Sequence, residues 1–208
     1  MSVICYERKK GTHMDEENIF SAERMKEVAV GIRSIRKKRD LAEFLACEIG
    51  RLNILDLQRI SASVEKEIDM LPSPYRERIH PYFMEQFFGR YFKAMRMYGD
   101  GTLKKMHGDI TDEKLFGEYC AMLAGLTDYT SEGDGLGLGP RYRGFYHLIS
   151  CFAMFVLDEP GHPVGMPFPG GFAVERKNGA FYCPIRDKEK DVPFSICNFC
   201  PAKQGDIP

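Results

Sequence analysis

The chain contains no tryptophan and no long hydrophobic segment. Its longest mainly apolar run, residues 149–157, is far shorter than the roughly 18 consecutive apolar residues that indicate a membrane-spanning helix. The first residues also lack the basic and then apolar pattern of a signal peptide. From the sequence we therefore expect a cytoplasmic protein that has no segment inserted in a membrane.

Charge of one sign is not in excess either. The 29 Lys and Arg residues are balanced by 30 Asp and Glu residues, so the formal net charge is −1. Such a molecule has no overall electrostatic preference for nucleic acid, membranes or acidic substrates. The basic run 33–39 is a local exception. It is typical of a solvated helix face or turn, and nucleic-acid binding is kept as the alternative interpretation.

The common catalytic patterns are missing as well. The sequence has no Gly-x-Ser-x-Gly, no His-Glu-x-x-His and no phosphate-binding loop ending in Lys-Ser/Thr. The glycine-rich residues 133–139 follow no predicted strand, which is typical of a connector. Whether the chain is an enzyme is left open by its sequence.

What the chain does contain is ample material for a helical core. Hydrophobic residues make up 44% of the 208 residues, an ordinary value for a globular protein. Apolar residues recur three and four positions apart from about residue 21 to residue 157, which is the period of amphipathic helices. An aromatic-rich helix over residues 82–98 and an apolar helix over 141–157 are expected to form the core. We predict a mainly α fold, a multi-helix globular bundle.

Local signals mark several boundaries of these helices. Ser21 and Thr111 are predicted N-caps, because their hydroxyls can accept a hydrogen bond from the first helical turn. Pro81 is expected to kink or divide the aromatic helix.

Composition changes after Asp158. Residues 160–171 are rich in Pro and Gly, and Asn178-Gly179 stands between two short runs of strand-forming residues, 172–175 and 180–183. This pattern predicts a small C-terminal β-hairpin. We therefore expect three parts of the chain. They are a disordered or frayed N-terminus over 1–17, a helical domain over 18–158, and a tail over 159–208, with loop, hairpin and metal-binding cysteines, packed on that domain.

Three of the seven cysteines cluster in this tail, at Cys183, Cys197 and Cys200, and four are scattered at Cys5, Cys47, Cys120 and Cys151. In a chain without an export signal, such a cluster favours metal or redox chemistry over disulfides. A Cys-x-x-Cys turn lets two thiolates hold one metal ion, and the hairpin can bring the third. Unliganded thiols and a redox-active pair are the alternatives.

The fourth ligand has several candidates. His162 is the nearest in sequence and His147 is another, and either would complete a Cys3His site suited to zinc. Cys151 or Cys120 would instead give four thiolates, which suit zinc or an iron–sulfur cluster. His147 and Cys151 stand four residues apart on one helix face, where burial in the core is the ordinary interpretation.

The tail also carries a family resemblance. Residues 161–171 read G-H-P-V-G-M-P-F-P-G-G, followed by Cys183-Pro184 and by Cys197-Asn198-Phe199-Cys200-Pro201. This segment resembles an uncharacterised protein family of methanogenic archaea, and the resemblance is distinctive over residues 158–204. It implies an archaeal cytoplasmic protein and brings no reaction, substrate or catalytic residue.

Three functional hypotheses follow. The first is a protein with a structural zinc site in its tail that acts as a protein-interaction or regulatory module. The second is an iron–sulfur or metal-dependent enzyme. The third is a nucleic-acid-binding protein that uses the basic run 33–39.

Overall fold

The computed structural model describes residues 20–126 and 140–205. Two predictions concern residues outside these ranges, namely the frayed N-terminus over 1–17 and the glycine-rich connector over 133–139. Within the described ranges the chain is mainly helical, as predicted. The α-helices there are α1 (Ala22–Arg33), α2 (Lys38–Ile49), α3 (Ile54–Asp69), α4 (Tyr75–Met84), α5 (Arg90–Gly99), α6 (Glu113–Gly125) and α7 (Pro140–Cys151). None of them is long and apolar enough to cross a membrane.

The aromatic segment forms one nearly continuous helical rod. α4 passes into a π-helical turn, Glu85–Gly89, which leads directly into α5. Pro81 lies inside α4, so it does not divide the element. The departure from regular α geometry comes later, at the π turn, which accommodates an extra residue in the helix. α7 likewise continues into a second π turn, Phe152–Val156.

Phe145 of α7 lies at the centre of the aromatic core. It is fully buried, and its ring centroid is 6.5 Å from that of Phe87, 6.1 Å from Phe88 and 5.9 Å from Tyr91. The prediction that the aromatic helix serves core packing is confirmed for these residues. It is wrong for Phe92, whose side chain is 59% exposed, because α5 turns that position outward.

The N-cap of α1 is the residue predicted from the sequence, whereas the N-cap of α6 is a different residue. The Ser21 Oγ accepts the N–H of Arg24 at 3.1 Å, which confirms the predicted cap of α1. Thr111 does not cap α6. Asp112 takes that position, and its Oδ1 accepts the N–H of Leu115 at 2.9 Å. Both residue types can cap a helix, and Asp ranks above Thr in this role, which agrees with the choice of Asp112.

The tail is built from short strands. β1 (Pro167–Phe168) pairs with β2 (Phe172–Ala173), and β3 (Glu175–Lys177) pairs with β4 (Ala180–Cys183), both antiparallel. Asn178 and Gly179 have φ values of 51° and 79°, as the two central residues of a type I′ hairpin turn require. The predicted hairpin is therefore confirmed at its turn and in its second strand. The predicted first strand, 172–175, is wrong in extent, because Phe172 and Ala173 pair with β1 and only Glu175 of that run pairs with β4. β5 (Lys203–Gln204) then runs parallel to β4.

The tail shares its hydrophobic core with the helices. Phe199 is buried, and its ring lies perpendicular to that of Tyr119 in α6 with 5.0 Å between the centroids. Ile196 and Met166 belong to the same buried cluster. The tail cysteines are thus held against the helical body rather than on a separate surface.

Candidate metal centre

Cys183 ends strand β4, where the chain turns sharply. Pro184 follows it, and the backbone N–H of Arg186 donates to the Cys183 carbonyl at 3.4 Å. The backbone amides of Ile185 and Arg186 also act to lower the pKa of the Cys183 thiol. Backbone amides that donate to a cysteine sulfur stabilise the thiolate, which is the form that binds a metal. Burial acts in the opposite direction and raises the pKa of the Cys183 thiol.

Cys197 and Cys200 lie at a 3-10 helical turn, Ile196–Phe199, with Cys200 directly after it. The Ser195 Oγ accepts the backbone N–H of Cys197 at 3.3 Å, and the backbone N–H of Gly161 donates to the Cys200 sulfur at 3.3 Å. The Ser195 hydroxyl also acts to lower the pKa of the Cys197 thiol. Burial is the main influence on Cys197 and raises the pKa of its thiol to about 12.

The parallel pairing of β4 and β5 ties the segment after Cys200 to the strand that ends at Cys183. Cys183 stands opposite Gln204 in the register, and the N–H of Gly205 donates to the Cys183 carbonyl at 3.0 Å. The side chain of Gln204 also accepts the N–H of Asp187 at 2.7 Å and donates to the Pro184 carbonyl at 2.9 Å. The residues just after Cys200 are thus tied to the strand that ends at Cys183.

The cysteines of the tail influence one another electrostatically. The pKa of Cys183 is raised further by Cys200, and that of Cys197 by Cys200 and Cys183. In the described part of the chain, however, no three His, Cys, Asp or Glu side chains already stand as a metal-ligand set. The three sulfurs are neighbours that would have to draw closer to hold an ion.

His162 lies next to this cluster along the chain. It directly follows Gly161, whose N–H donates to Cys200, and its ring packs edge-on against Phe168 with 5.6 Å between the centroids. Desolvation and then the positive charge of Arg90 lower the pKa of His162 to about 4. The imidazole is therefore neutral at physiological pH, which is the state that binds a metal.

The other candidate ligands belong to the helical core. Burial raises the pKa of the thiols of Cys120 in α6 and Cys151 in α7, and Cys120 raises that of Cys151 further. His147 is also buried, beside the ring of Tyr119. The cysteines considered as metal ligands therefore fall into two groups in the described structure, one in the tail and one in α6 and α7.

Arg90 is a prominent residue of this region that the sequence analysis missed. It is 4% exposed, and its guanidinium donates to the carbonyls of Pro160 and Gly161, each at 2.6 Å. These bonds hold the loop that carries His162 and the N–H donor of Cys200. The position of Arg90 between aromatic residues 87–88 and 91–92 was the signal that could have identified it, because a buried charge needs a partner.

Two ion pairs anchor the same loop. Lys38 of α2 is paired with Asp158, and Lys93 of α5 lies 2.6 Å from the carboxylate of Glu159. Together with Arg90 they tie the start of the tail to two different helices.

The basic run 33–39 is largely neutralised locally. Arg36, Lys37, Lys38 and Arg39 each lie beside a carboxylate. Their partners are Glu113 at 3.0 Å, Asp109 at 2.6 Å, Asp158 and Asp40 at 3.0 Å, respectively. This pairing reduces the positive potential that a nucleic-acid backbone would require.

These features define a class of protein: a helical body onto which a small strand-containing tail folds, with three neighbouring cysteines buried at the junction. Within that class, the chain belongs to the family described as "Uncharacterized protein conserved in archaea (DUF2115)", whose model matches residues 37–205. The family membership expected from the sequence is thereby confirmed.

Similar proteins occur in several methanogens. A UPF0305 protein of Methanothermobacter thermautotrophicus is 32% identical over 161 residues, which cover 77% of this chain and 92% of the relative. A UPF0305 protein of Methanocaldococcus jannaschii is 22% identical over 82% of this chain and 98% of its own length. One from Methanococcus maripaludis is 26% identical over 80% of this chain and 96% of the relative. No solved structure matches the chain.

Proposed function

We propose that Cys183, Cys197 and Cys200, with His162 as fourth ligand, hold a structural zinc ion in a protein-interaction or regulatory module. The observation that carries the proposal is the burial of the three cysteines, which are 2%, 4% and 8% exposed. The Gly161 N–H also donates to the Cys200 sulfur, and nearby polar groups act against burial to lower the pKa of the Cys183 and Cys197 thiols. Structural zinc sites are closed, whereas catalytic sites keep an open position for water or substrate.

Zinc binding would require the ligands to move toward one ion, because no three of the described side chains already form a ligand set. The ion replaces the thiol protons and attracts the resulting thiolates, so the binding free energy itself brings the ligands together. The parallel pairing of β4 and β5 ties the backbone after Cys200 to the strand that ends at Cys183.

The test compares Cys197→Ser with Cys120→Ser, a buried cysteine of the helical core. Wild-type protein prepared without chelator should contain one zinc ion per chain by elemental analysis. Cys197→Ser should lose the ion and melt at a lower temperature, because metal binding adds to folding stability. Cys120→Ser should keep it. Metal-free wild-type protein whose melting temperature is unaffected by Cys197→Ser would refute the proposal.

The same preparation, carried out without air, tests the iron–sulfur alternative. Protein that is brown and contains iron and inorganic sulfide, with Cys120→Ser or Cys151→Ser abolishing the colour, would favour a cluster held by four thiolates. Colourless protein with zinc would favour the Cys3His site.

A further inference from the structure

An open groove lies where the end of α1 meets α6. These two helices pack side by side, and the groove between them has a volume of about 410 Å³. This value lies within the range of about 300–1,000 Å³ that is typical of small-molecule sites. Five of the seven residues that line the groove are charged. A ligand there would therefore be recognised by its charge more than by apolar contact.

The side of the groove that belongs to α6 has small residues at its middle. Gly117 and Ala121 stand one helical turn apart, on the same face of α6, and both line the groove. A Cβ added at Gly117 would meet no atom within 4 Å, so the space above this residue is open. The absence of a side chain at Gly117 therefore leaves room for a ligand beside the charged residues.

Arg33 is the basic residue of the run 33–39 that lacks a partner. Within the part of the chain that the structure describes, its guanidinium forms no ion pair, whereas the other basic residues of the run each lie beside a carboxylate. Its charge acts on α6 directly below the groove. Burial raises the pKa of the Cys120 thiol, and the positive charge of Arg33 is the largest influence that lowers it. The guanidinium thus lies near the α6 residues that line the groove.

The two carboxylates of the groove already have cations beside them. Glu113 lies 3.0 Å from the Arg36 guanidinium, and Glu118 lies 3.9 Å from the Lys114 ammonium. Three basic and two acidic side chains line the groove, so one positive charge is in excess. The unpaired guanidinium is that of Arg33.

We infer that this groove binds a small organic acid through a single carboxylate, which Arg33 contacts. A guanidinium presents two parallel N–H groups that match the two oxygens of a carboxylate. Glu113 and Glu118 repel a doubly charged group such as phosphate more strongly than a singly charged carboxylate. No residue of the tail lines the groove, so the inference does not rest on the proposed zinc function.

The test titrates the full-length protein with benzoate as the probe and with benzamide as its neutral counterpart. Binding is followed through the backbone amide resonances of Gly117 and Ala121 in heteronuclear NMR spectra. Benzoate should shift both resonances saturably. Benzamide should bind at least about tenfold more weakly, because it cannot form a charge-assisted pair with the guanidinium. Inorganic phosphate should also bind more weakly than benzoate.

Three variants assign the binding to the groove. Arg33→Gln should weaken benzoate binding by at least about tenfold, since hydrogen bonds between charged groups are the strong ones. Arg59→Gln, at an exposed arginine of α3 that does not line the groove, should bind like the wild type. Gly117→Leu fills the open space without changing a charge, so it should abolish binding while the protein stays folded.

Other results would overturn the inference. Gly117 and Ala121 resonances that do not respond to benzoate would exclude a carboxylate site in the groove. Equal affinities for benzoate and benzamide, or equal benzoate affinities of Arg33→Gln and the wild type, would show that the charge of Arg33 is not used. Tighter binding of inorganic phosphate would contradict the choice of a carboxylate. The zinc content of wild-type protein and of Cys197→Ser is a separate measurement, so the two proposals fail independently.

Discussion

At the scale of single residues, the helical core contains buried polar atoms without hydrogen-bond partners. In the described part of the chain these are Gln86 Oε1, His147 Nδ1 and Ser150 Oγ. Of these three groups, His147 is the one whose burial changes a pKa. Burial, and then the positive charge of Arg143, lower its pKa to about 3, because no group at Nδ1 compensates a charge on the ring.

His147 should make the stability of the protein depend on pH. Between about pH 6.5 and pH 3 the unfolded chain binds a proton at this residue that the folded chain does not. The contribution of His147 to stability is therefore fully present above about pH 6.5, and it should fall by roughly 1.4 kcal/mol per pH unit below that value. His162, whose pKa is lowered to about 4, adds a loss of the same sign that remains in His147→Gln. His147→Gln should reduce this dependence. Urea unfolding of metal-free protein near pH 7 and at about pH 5.5 measures the change in the free energy of unfolding.

His80 provides the control for this prediction. It is about half-exposed and lies 3.0 Å from Glu65, so His80→Gln should keep nearly the wild-type loss of stability on acidification. The prediction would be contradicted if His147→Gln and the wild type lost the same free energy between the two pH values. Tyr119 and Tyr146, whose rings face His147, stay neutral over this range.

At the scale of elements, two helical glycines have opposite roles. Gly144 lies in α7 where that helix crosses the chain just before α1, and an added Cβ there would lie 2.7 Å from the Phe20 Cγ. Gly117 lies in α6, and an added Cβ would meet nothing within 4 Å. The glycine of α7 permits a close helix contact, whereas the glycine of α6 simply weakens its helix.

Alanine at these two positions should change stability in opposite directions. Gly117→Ala should stabilise the protein by about 0.5–1 kcal/mol, the difference in helix propensity. Gly144→Ala should destabilise it by roughly 1–3 kcal/mol, because overpacking against buried Phe20 exceeds that gain. Chemical denaturation of both variants measures these changes in the free energy of unfolding. Equal stabilisation by both would show that the contact at Gly144 is unimportant.

The start of α3 allows a second prediction at this scale. The Asn53 Oδ1 accepts the N–H groups of Leu55 and Asp56 at 2.8 and 3.0 Å, and the Asn53 N–H donates to the Asp56 carboxylate at 3.1 Å. Asn53→Ala should therefore cost about 1 kcal/mol. Ile54→Ala changes an exposed side chain in the same turn and should stay within about 0.5 kcal/mol of the wild type. Similar midpoints of urea unfolding for both variants would argue against the cap.

At the scale of the whole molecule, the tail and the helices are held together by both packing and charge. Phe199 packs on Tyr119, and Lys38 and Lys93 pair with Asp158 and Glu159 at the start of the tail. Contacts between residues so distant in sequence favour cooperative unfolding of tail and helices.

Removing the Phe199 ring should therefore destabilise the whole protein. Phe199→Ala should cost about 3 kcal/mol, the lower end for loss of a buried aromatic side chain, and far-UV circular dichroism and tyrosine fluorescence should still report one transition. Phe92→Ala, at a side chain 59% exposed, should change stability by less than about 0.5 kcal/mol. Two separate transitions in the wild type would show that the tail unfolds independently.

The sequence by itself determined the local features of this protein. The 3.6-residue period predicted a mainly helical fold, Ser21 predicted the cap of α1, and Asn178-Gly179 predicted the hairpin, because each depends on residues that are neighbours along the chain. The resemblance over the tail led to the correct family. Local signals were ambiguous where two neighbouring residues could do the same task, as at Thr111 and Asp112.

Tertiary structure alone decided which residues meet at the candidate site. The burial of Arg90, its contacts with Pro160 and Gly161, and the position of β5 beside Cys183 all join segments far apart in the sequence. Such contacts depend on how helices and strands pack, and no periodicity or spacing encodes them individually. The sequence identified the three cysteines, whereas only the tertiary structure placed Arg90 beside the loop that contacts them.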